Sequence, residues 1–136
     1  MIRKTEYLCV FLTGGVIYSG LELLWRGYTH WSMTAAGGLC LLLLHRMNLR
    51  LPGNRLLLRC SMGCALITSV EFAVGLIVNR ALGWNVWDYS GMPGNLLGQV
   101  CPLFSAAWFF LTLPACLLSG GFRRFFDWLA EREQDA

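Results

Sequence analysis

Charge is scarce in this chain. Aspartate, glutamate, lysine and arginine together make up 14% of its 136 residues, against about a quarter in an ordinary soluble domain. No basic patch interleaved with aromatics tracks along the sequence, which argues against nucleic acid as a partner. Histidine is limited to His30 and His45, so a histidine-built metal centre has few ligands to draw on. No C-x-x-C occurs. Cys9, Cys40, Cys60, Cys64, Cys101 and Cys116 read as small apolar packing residues, and neither a disulfide framework nor a zinc site is indicated. No G-x-S-x-G nucleophile elbow is present, and no low-complexity segment. No cofactor or metal is expected.

Apolar residues are what the chain has in excess. They form 56% of it, with a mean hydropathy of +0.52, and such a surplus calls for a bilayer as solvent. A hydrocarbon core of about 30 Å is crossed by about 20 apolar residues in a helix. Four segments fit: about Tyr7 to Trp25, a shorter one from about Trp31 to Leu44, about Leu56 to Asn79, and about Asn95 to Leu118. Backbone groups in lipid must be paired internally, so the segments are helices. Pro102 and Pro114 are expected to bend the last. The basic start Met1-Ile2-Arg3-Lys4 before an apolar run suggests a signal peptide, but the run continues to about Trp25 with no A-x-A-like cleavage site, and reads as a first span.

Arginines and lysines set the orientation. With the N-terminus inside, Arg3, Lys4, Arg46, Arg50, Arg55, Arg59, Arg123, Arg124 and Arg132 lie on the cytoplasmic side, and Arg26 and Arg80 on the outer side. Both termini are then cytoplasmic. A basic turn, Met47 to Arg55 with Pro52-Gly53-Asn54 as breaker, joins the second and third spans. Arg26 to His30 is a short outer turn. Arg80 to Gly94 is the longest outer loop, with Trp84, Trp87 and Tyr89 suited to the water–lipid boundary. The fold class is therefore all-α: a polytopic four-helix membrane domain over residues 1–120, built as two hairpins, with a cytoplasmic amphipathic helix over 121–136. In that tail Phe122, Phe125, Phe126 and Leu129 recur at helical spacing. It would lie on anionic lipid or dock a cytoplasmic partner, and the first reading is preferred.

The polar exceptions gather at the outer side. Charges within a span are costly and mark functional candidates. Glu22 lies near the outer end of the first span and shares a helix face with Arg26, four residues on. Glu71 lies deeper, about 12 Å from Asn79 at helical rise, so it must face protein or a water-filled cavity or stay protonated. Arg26 and Arg80 are the candidate partners. His30, Trp31 and Ser32 open the second span, and Trp87-Asp88-Tyr89-Ser90 lies in the long loop. Asn95 and Gln99 share a face at the start of the fourth span. Together these groups could line one polar pocket capped by aromatics. The alternative makes Asn95 an N-cap and Asn79 a C-cap, with the tryptophans as belt residues, which leaves Glu71 unexplained. A weak internal repeat places a carboxylate and then an aromatic–polar motif in each hairpin, as parallel repeats do.

At these residues the chain resembles a family of small bacterial membrane proteins, the ABC-transporter type IV family, often described as permeases. The matching stretches are Gly20-Leu21-Glu22-Leu23-Leu24-Trp25-Arg26-Gly27, His30-Trp31-Ser32-Met33, Gly37-Gly38, Glu71-Phe72, Gly75, Asn79, Trp87-Asp88-Tyr89-Ser90, Pro93, Asn95 and Gly98-Gln99. The resemblance implies a transporter component of the bacterial cytoplasmic membrane. It carries no substrate and no catalytic residues. An ABC system needs an ATPase, and no G-x-x-x-x-G-K-[ST] phosphate cradle is present, so an ATPase partner follows from the family label alone. Four helices are few to enclose a pathway, and transport would call for a homo-oligomer or another membrane protein.

Three functions are consistent with these features. The first is a transporter-type subunit in which Glu71 binds or relays a cation or proton, or meets a polar solute from outside. The second is an enzyme on a lipid-linked or periplasmic substrate, with Glu22, Glu71, His30 and Asp88 as acid–base groups and, on paper, a Ser90–His30–Asp88 triad. The third is a structural or regulatory partner, with Gly14, Gly15, Gly37 and Gly38 allowing close helix contact. The first is favoured.

Overall fold

The computed structural model describes residues 1–51, 53 and 55–136, every position except Pro52 and Asn54. Two of the three residues of the anticipated Pro52-Gly53-Asn54 breaker therefore lie outside the described residues. Among the described residues four α-helices follow in order: α1 (Ile2–Arg26), α2 (Trp31–Arg50), α3 (Leu56–Gly75), extended by a π-helical stretch (Leu76–Ala81), and α4 (Pro102–Asp135). Among the described residues there is no strand, only an isolated bridge between Leu96 and Val100. The all-α expectation holds.

Among the described residues three helices, not four, are long and apolar enough to cross a membrane: Ile2–Arg26, Leu56–Ala81 and Pro102–Asp135. This corrects the expectation of four such segments. The exception is α2, which continues past Leu44 through His45-Arg46-Met47-Asn48-Leu49-Arg50 and so carries polar groups along its last turns. Its position accounts for its composition, because α2 packs against α1, α3 and α4. A helix facing protein on several sides does not need the apolar surface of one facing lipid. The other three turn side chains such as Leu12, Val16, Leu57, Ile77, Phe110 and Leu117 outward, as a lipid-facing surface requires.

The α1–α2 hairpin is tight because its crossing is made of glycine. A Cβ at Gly14 would stand 2.6 Å from Leu41 Cβ and 2.7 Å from Gly37 O, and one at Gly38 would stand 2.7 Å from Phe11 O. Gly14, Gly15, Gly37 and Gly38 thus let α1 and α2 pack closely within the chain. Gly27, at φ 77°, ends α1 in the left-handed conformation that glycine adopts freely. His30 caps α2, its Nδ1 accepting from the Ser32 amide at 3.2 Å.

The fourth helix departs most from expectation. It starts at Pro102, not Asn95, and runs unbroken to Asp135, about 51 Å at helical rise. Leu97 and Gly98 both have positive φ, 53° and 72°, which no right-handed helix accommodates. Pro102 sits in the first helical turn, where its missing N–H removes no helical bond, so of the two prolines only Pro114 is interior. The tail from residue 121 is a continuation of this helix.

Candidate functional site

The segment from Leu82 to Cys101 folds back over one end of the bundle, and Asn79 holds it there. Asn79 lies in the π-helical stretch, and its side chain meets the returning chain. Its Oδ1 accepts from the Val86 amide at 2.7 Å and the Trp87 amide at 3.4 Å, and its Nδ2 donates to Gln99 Oε1 at 2.9 Å. Trp87 Nε1 donates to Gln99 O at 2.9 Å. Gly75 makes room for this packing: a Cβ there would meet Gln99 Oε1 at 2.5 Å. Asn79 and Gln99 thus tie the loop to the end of α3. Asn95 is not an N-cap of α4, since Cys101 holds that position without a side-chain bond. It braces the loop instead, accepting from the Gly98 amide at 3.0 Å and donating to Met92 O at 2.8 Å.

This folding brings Glu71 its partners. Tyr89 OH donates to Glu71 Oε1 at 3.0 Å and Trp108 Nε1 donates to Oε2 at 3.1 Å. Each carboxylate oxygen thus has one neutral donor, and the side chain is buried. The expected partners Arg26 and Arg80 are not the ones found. Trp108 was not singled out from the sequence, because tryptophan on an apolar helix carries no signal of its own until the packing shows where its N–H points. Tyr89 stacks on Phe104, with centroids 4.8 Å apart and planes at 12°, which fixes the direction of its hydroxyl. Burial, and then the Glu71 carboxylate, push that hydroxyl above the usual phenol range, so Tyr89 remains a donor.

Glu22 and Arg26 pair as their spacing suggests, Oε2 to Nε at 2.5 Å. Arg26 also donates from Nη1 to Val86 O at 2.8 Å and lies over the Tyr28 ring at 4.6 Å, so the α1 end is stitched to the loop. Both residues line a cavity of about 520 Å³ between α1 and α4, together with Tyr18, Trp87, Tyr89 and Trp108. Glu71 itself lines a small adjoining space of about 20 Å³, room for about one water molecule. Tyr18, Trp87 and Trp108 border both spaces. Tyr89, which bonds Glu71, also borders the larger cavity.

The remaining candidates lie elsewhere. His30 bonds Ser32 Oγ at 2.7 Å and packs with Trp31 and Trp84. Asp88 accepts from the Ser90 amide at 2.8 Å, and Ser90 holds its carboxyl below the usual carboxylate range. Among the described residues no hydrogen bond joins His30 to Ser90 or Asp88, so the paper triad is not assembled.

A second polar cluster, at the opposite end of the bundle, was missed. Glu6 is fully buried. Its Oε1 accepts from His45 Nε2 at 2.9 Å and Arg123 Nε at 2.8 Å, and its Oε2 from Arg3 Nη1 at 2.9 Å. His45 Nδ1 meets Ser119 Oγ at 2.7 Å, and Asn48 Nδ2 donates to the same oxygen at 3.1 Å. Arg3 also pairs with Asp127 at 2.5 Å. The chain Ser119–His45–Glu6 has the order of a hydrolytic triad, but Ser119 is 1% exposed and no substrate can reach it. It is a clasp joining α1, α2 and α4. An ionisable residue just before an apolar run was the available signal, and placing Glu6 outside the span hid it.

These observations define a class: a small helical membrane protein with a loop-capped polar end, a buried carboxylate held by neutral donors, and a cavity open between its first and last helices. The chain belongs to the family described as "Putative ABC-transporter type IV", whose model matches residues 31–126. The match takes in Glu71, the Trp87–Ser90 block and Trp108, and begins after α1, leaving Glu22 and Arg26 outside it. No curated protein and no solved structure matches the chain.

Proposed function

We propose that this protein is a transport-type, permease-like subunit of the bacterial cytoplasmic membrane, working as an oligomer or with a partner, in which Glu71 takes up and releases a proton or small cation. In this reading α2 crosses with its three neighbours, both termini are cytoplasmic, and the loop-capped end faces outward. The charge partition supports the orientation, since nine basic residues fall at one end and only Arg26 and Arg80 at the other. The family match and the three apolar helices support membrane transport.

The observation that carries the proposal is the bonding of Glu71. An ionisable side chain within an apolar helix ordinarily pairs with another ionisable group or a backbone carbonyl, and marks an ion or substrate path. Here both oxygens rest on neutral donors, Tyr89 and Trp108. A carboxylate has about four lone-pair sites, so each oxygen keeps capacity for a proton or ion, and taking one up breaks no ion pair. Reconstitution into liposomes holding a pH-sensitive dye tests this. A pH or cation gradient that decays faster than in empty vesicles is expected; decay at the empty-vesicle rate would refute it.

A further inference from the structure

The cavity between α1 and α4 has a shape and chemistry that the Glu71 reading does not use. Its walls are mainly apolar, with Leu21, Leu24, Trp25, Leu103 and Leu111 among them, and its mouth is open: Leu24 is 87% and Leu103 64% exposed. A second space of about 190 Å³ shares Tyr18, Leu21, Trp108 and Leu111 with it and continues to Leu118. The two form one groove. Along α4 it runs from Leu103 to Leu118, about 22 Å at helical rise, which exceeds the roughly 15 Å depth of a single leaflet. Both bordering helices are long and apolar enough to cross a membrane, so the groove's mouth faces hydrocarbon.

One end of the groove is ionic. Glu22 and Arg26 line it there, with side chains 14% and 19% exposed. They present one negative and one positive group side by side. Arg26 is fixed at this end by its Nη1 bond to Val86 O at 2.8 Å, so its charge stays at the border of the groove. The ligand that complements this end has an acceptor anion and a cation close together, and the ligand that complements the rest has a long apolar chain.

We propose that the α1–α4 groove is a binding site for one zwitterionic aminophospholipid, its acyl chain lying along Leu21, Leu103 and Leu111, its phosphate at Arg26 and its ammonium at Glu22. The site is independent of ion movement at Glu71: a chain that conducts nothing would still hold the lipid.

Native mass spectrometry of the detergent-purified chain tests this, with three added lipids in turn: a zwitterionic aminophospholipid, an anionic glycerol-headgroup phospholipid and diacylglycerol. One lipid per chain is expected, the zwitterion retained about fivefold better than either competitor, a difference of about 1 kcal/mol. The Glu22→Gln, Arg26→Gln double variant should still bind lipid but lose the preference. Ala107→Trp, which fills the groove, should lose the lipid. Equal retention of all three lipids by the native chain would overturn the proposal, as would a preference that survives in the double variant. Because the double variant keeps every apolar wall residue of the groove, it decides the matter even if Ala107→Trp fails to fold.

Discussion

The Tyr89 hydroxyl donates to Glu71 Oε1 at 3.0 Å, and through that bond a segment without regular structure is fixed to an apolar helix. Tyr89→Phe removes the donor and leaves a buried carboxylate oxygen short of a partner, at a cost of about 1–3 kcal/mol. Trp108→Phe does the same at the other oxygen. The two losses act on one carboxylate, so the double variant should depart from their sum by about 0.5 kcal/mol or more. Reversible unfolding in mixed micelles, followed by circular dichroism, measures all three. Strict additivity would show that the two donors do not share a group.

The Glu6 clasp should matter more for stability than any exposed pair. Glu6→Ala leaves the buried His45 Nε2 without its partner and takes a carboxylate from Arg123, and an unsatisfied buried polar group costs about 1–3 kcal/mol. Asp127→Asn touches only the exposed pair with Arg3, whose side chains are about half exposed, and should change stability by about 0.5 kcal/mol or less. Thermal melting of the two variants side by side checks the contrast. A Glu6→Ala chain as stable as Asp127→Asn would mean the clasp is not stabilising.

Two glycines of α1 predict opposite results from one substitution. At Gly14 a methyl group would meet Leu41 and the Gly37 carbonyl, whereas at Gly20 nothing lies within 4 Å. Gly14→Ala should force α1 and α2 apart and destabilise by about 1–3 kcal/mol. Gly20→Ala should stabilise by up to about 1 kcal/mol, through helix propensity alone. The same unfolding measurement ranks them.

Much of this architecture was legible in the sequence, for identifiable reasons. Helix existence, the Arg26–His30 turn and the Glu22–Arg26 pair follow from local spacing, which a sequence displays directly. The α2 expectation failed because hydropathy reads a helix as if it stood alone, while α2 is sheltered by its neighbours. The start of α4 was misplaced because Asn95 and Gln99 at i, i+4 look helical. The left-handed Leu97 and Gly98, and the tertiary pull of Asn79 on Gln99, decide otherwise. Trp108 as a partner of Glu71, and Ser119 as a partner of His45, are contacts between residues 37 and 74 positions apart. No local pattern encodes such a pairing.

The loop end offers a further pair with opposite signs. Leu97 holds a φ of 53°, which costs a residue with a Cβ about 1–2 kcal/mol, and its side chain is exposed. Leu97→Gly should therefore be neutral or stabilising. Gly98→Ala places a Cβ at a φ of 72° and 3.1 Å from Asp88 Oδ1, and should destabilise the loop. Amide hydrogen exchange at Tyr89, whose N–H donates to Gly98 O at 2.8 Å, reads this locally: faster exchange in Gly98→Ala, unchanged or slower in Leu97→Gly.

Glu71→Gln is the most direct test of the transport reading. Glutamine keeps the shape of the side chain and can still accept from Tyr89 or Trp108, but cannot exchange a proton or hold a cation by charge. Native and variant chains, matched in melting temperature and reconstituted at equal density, should differ in proton or cation flux by about tenfold or more, the scale of losing a group that itself carries the ion. Equal flux through both would contradict the assignment of Glu71 as the carrier.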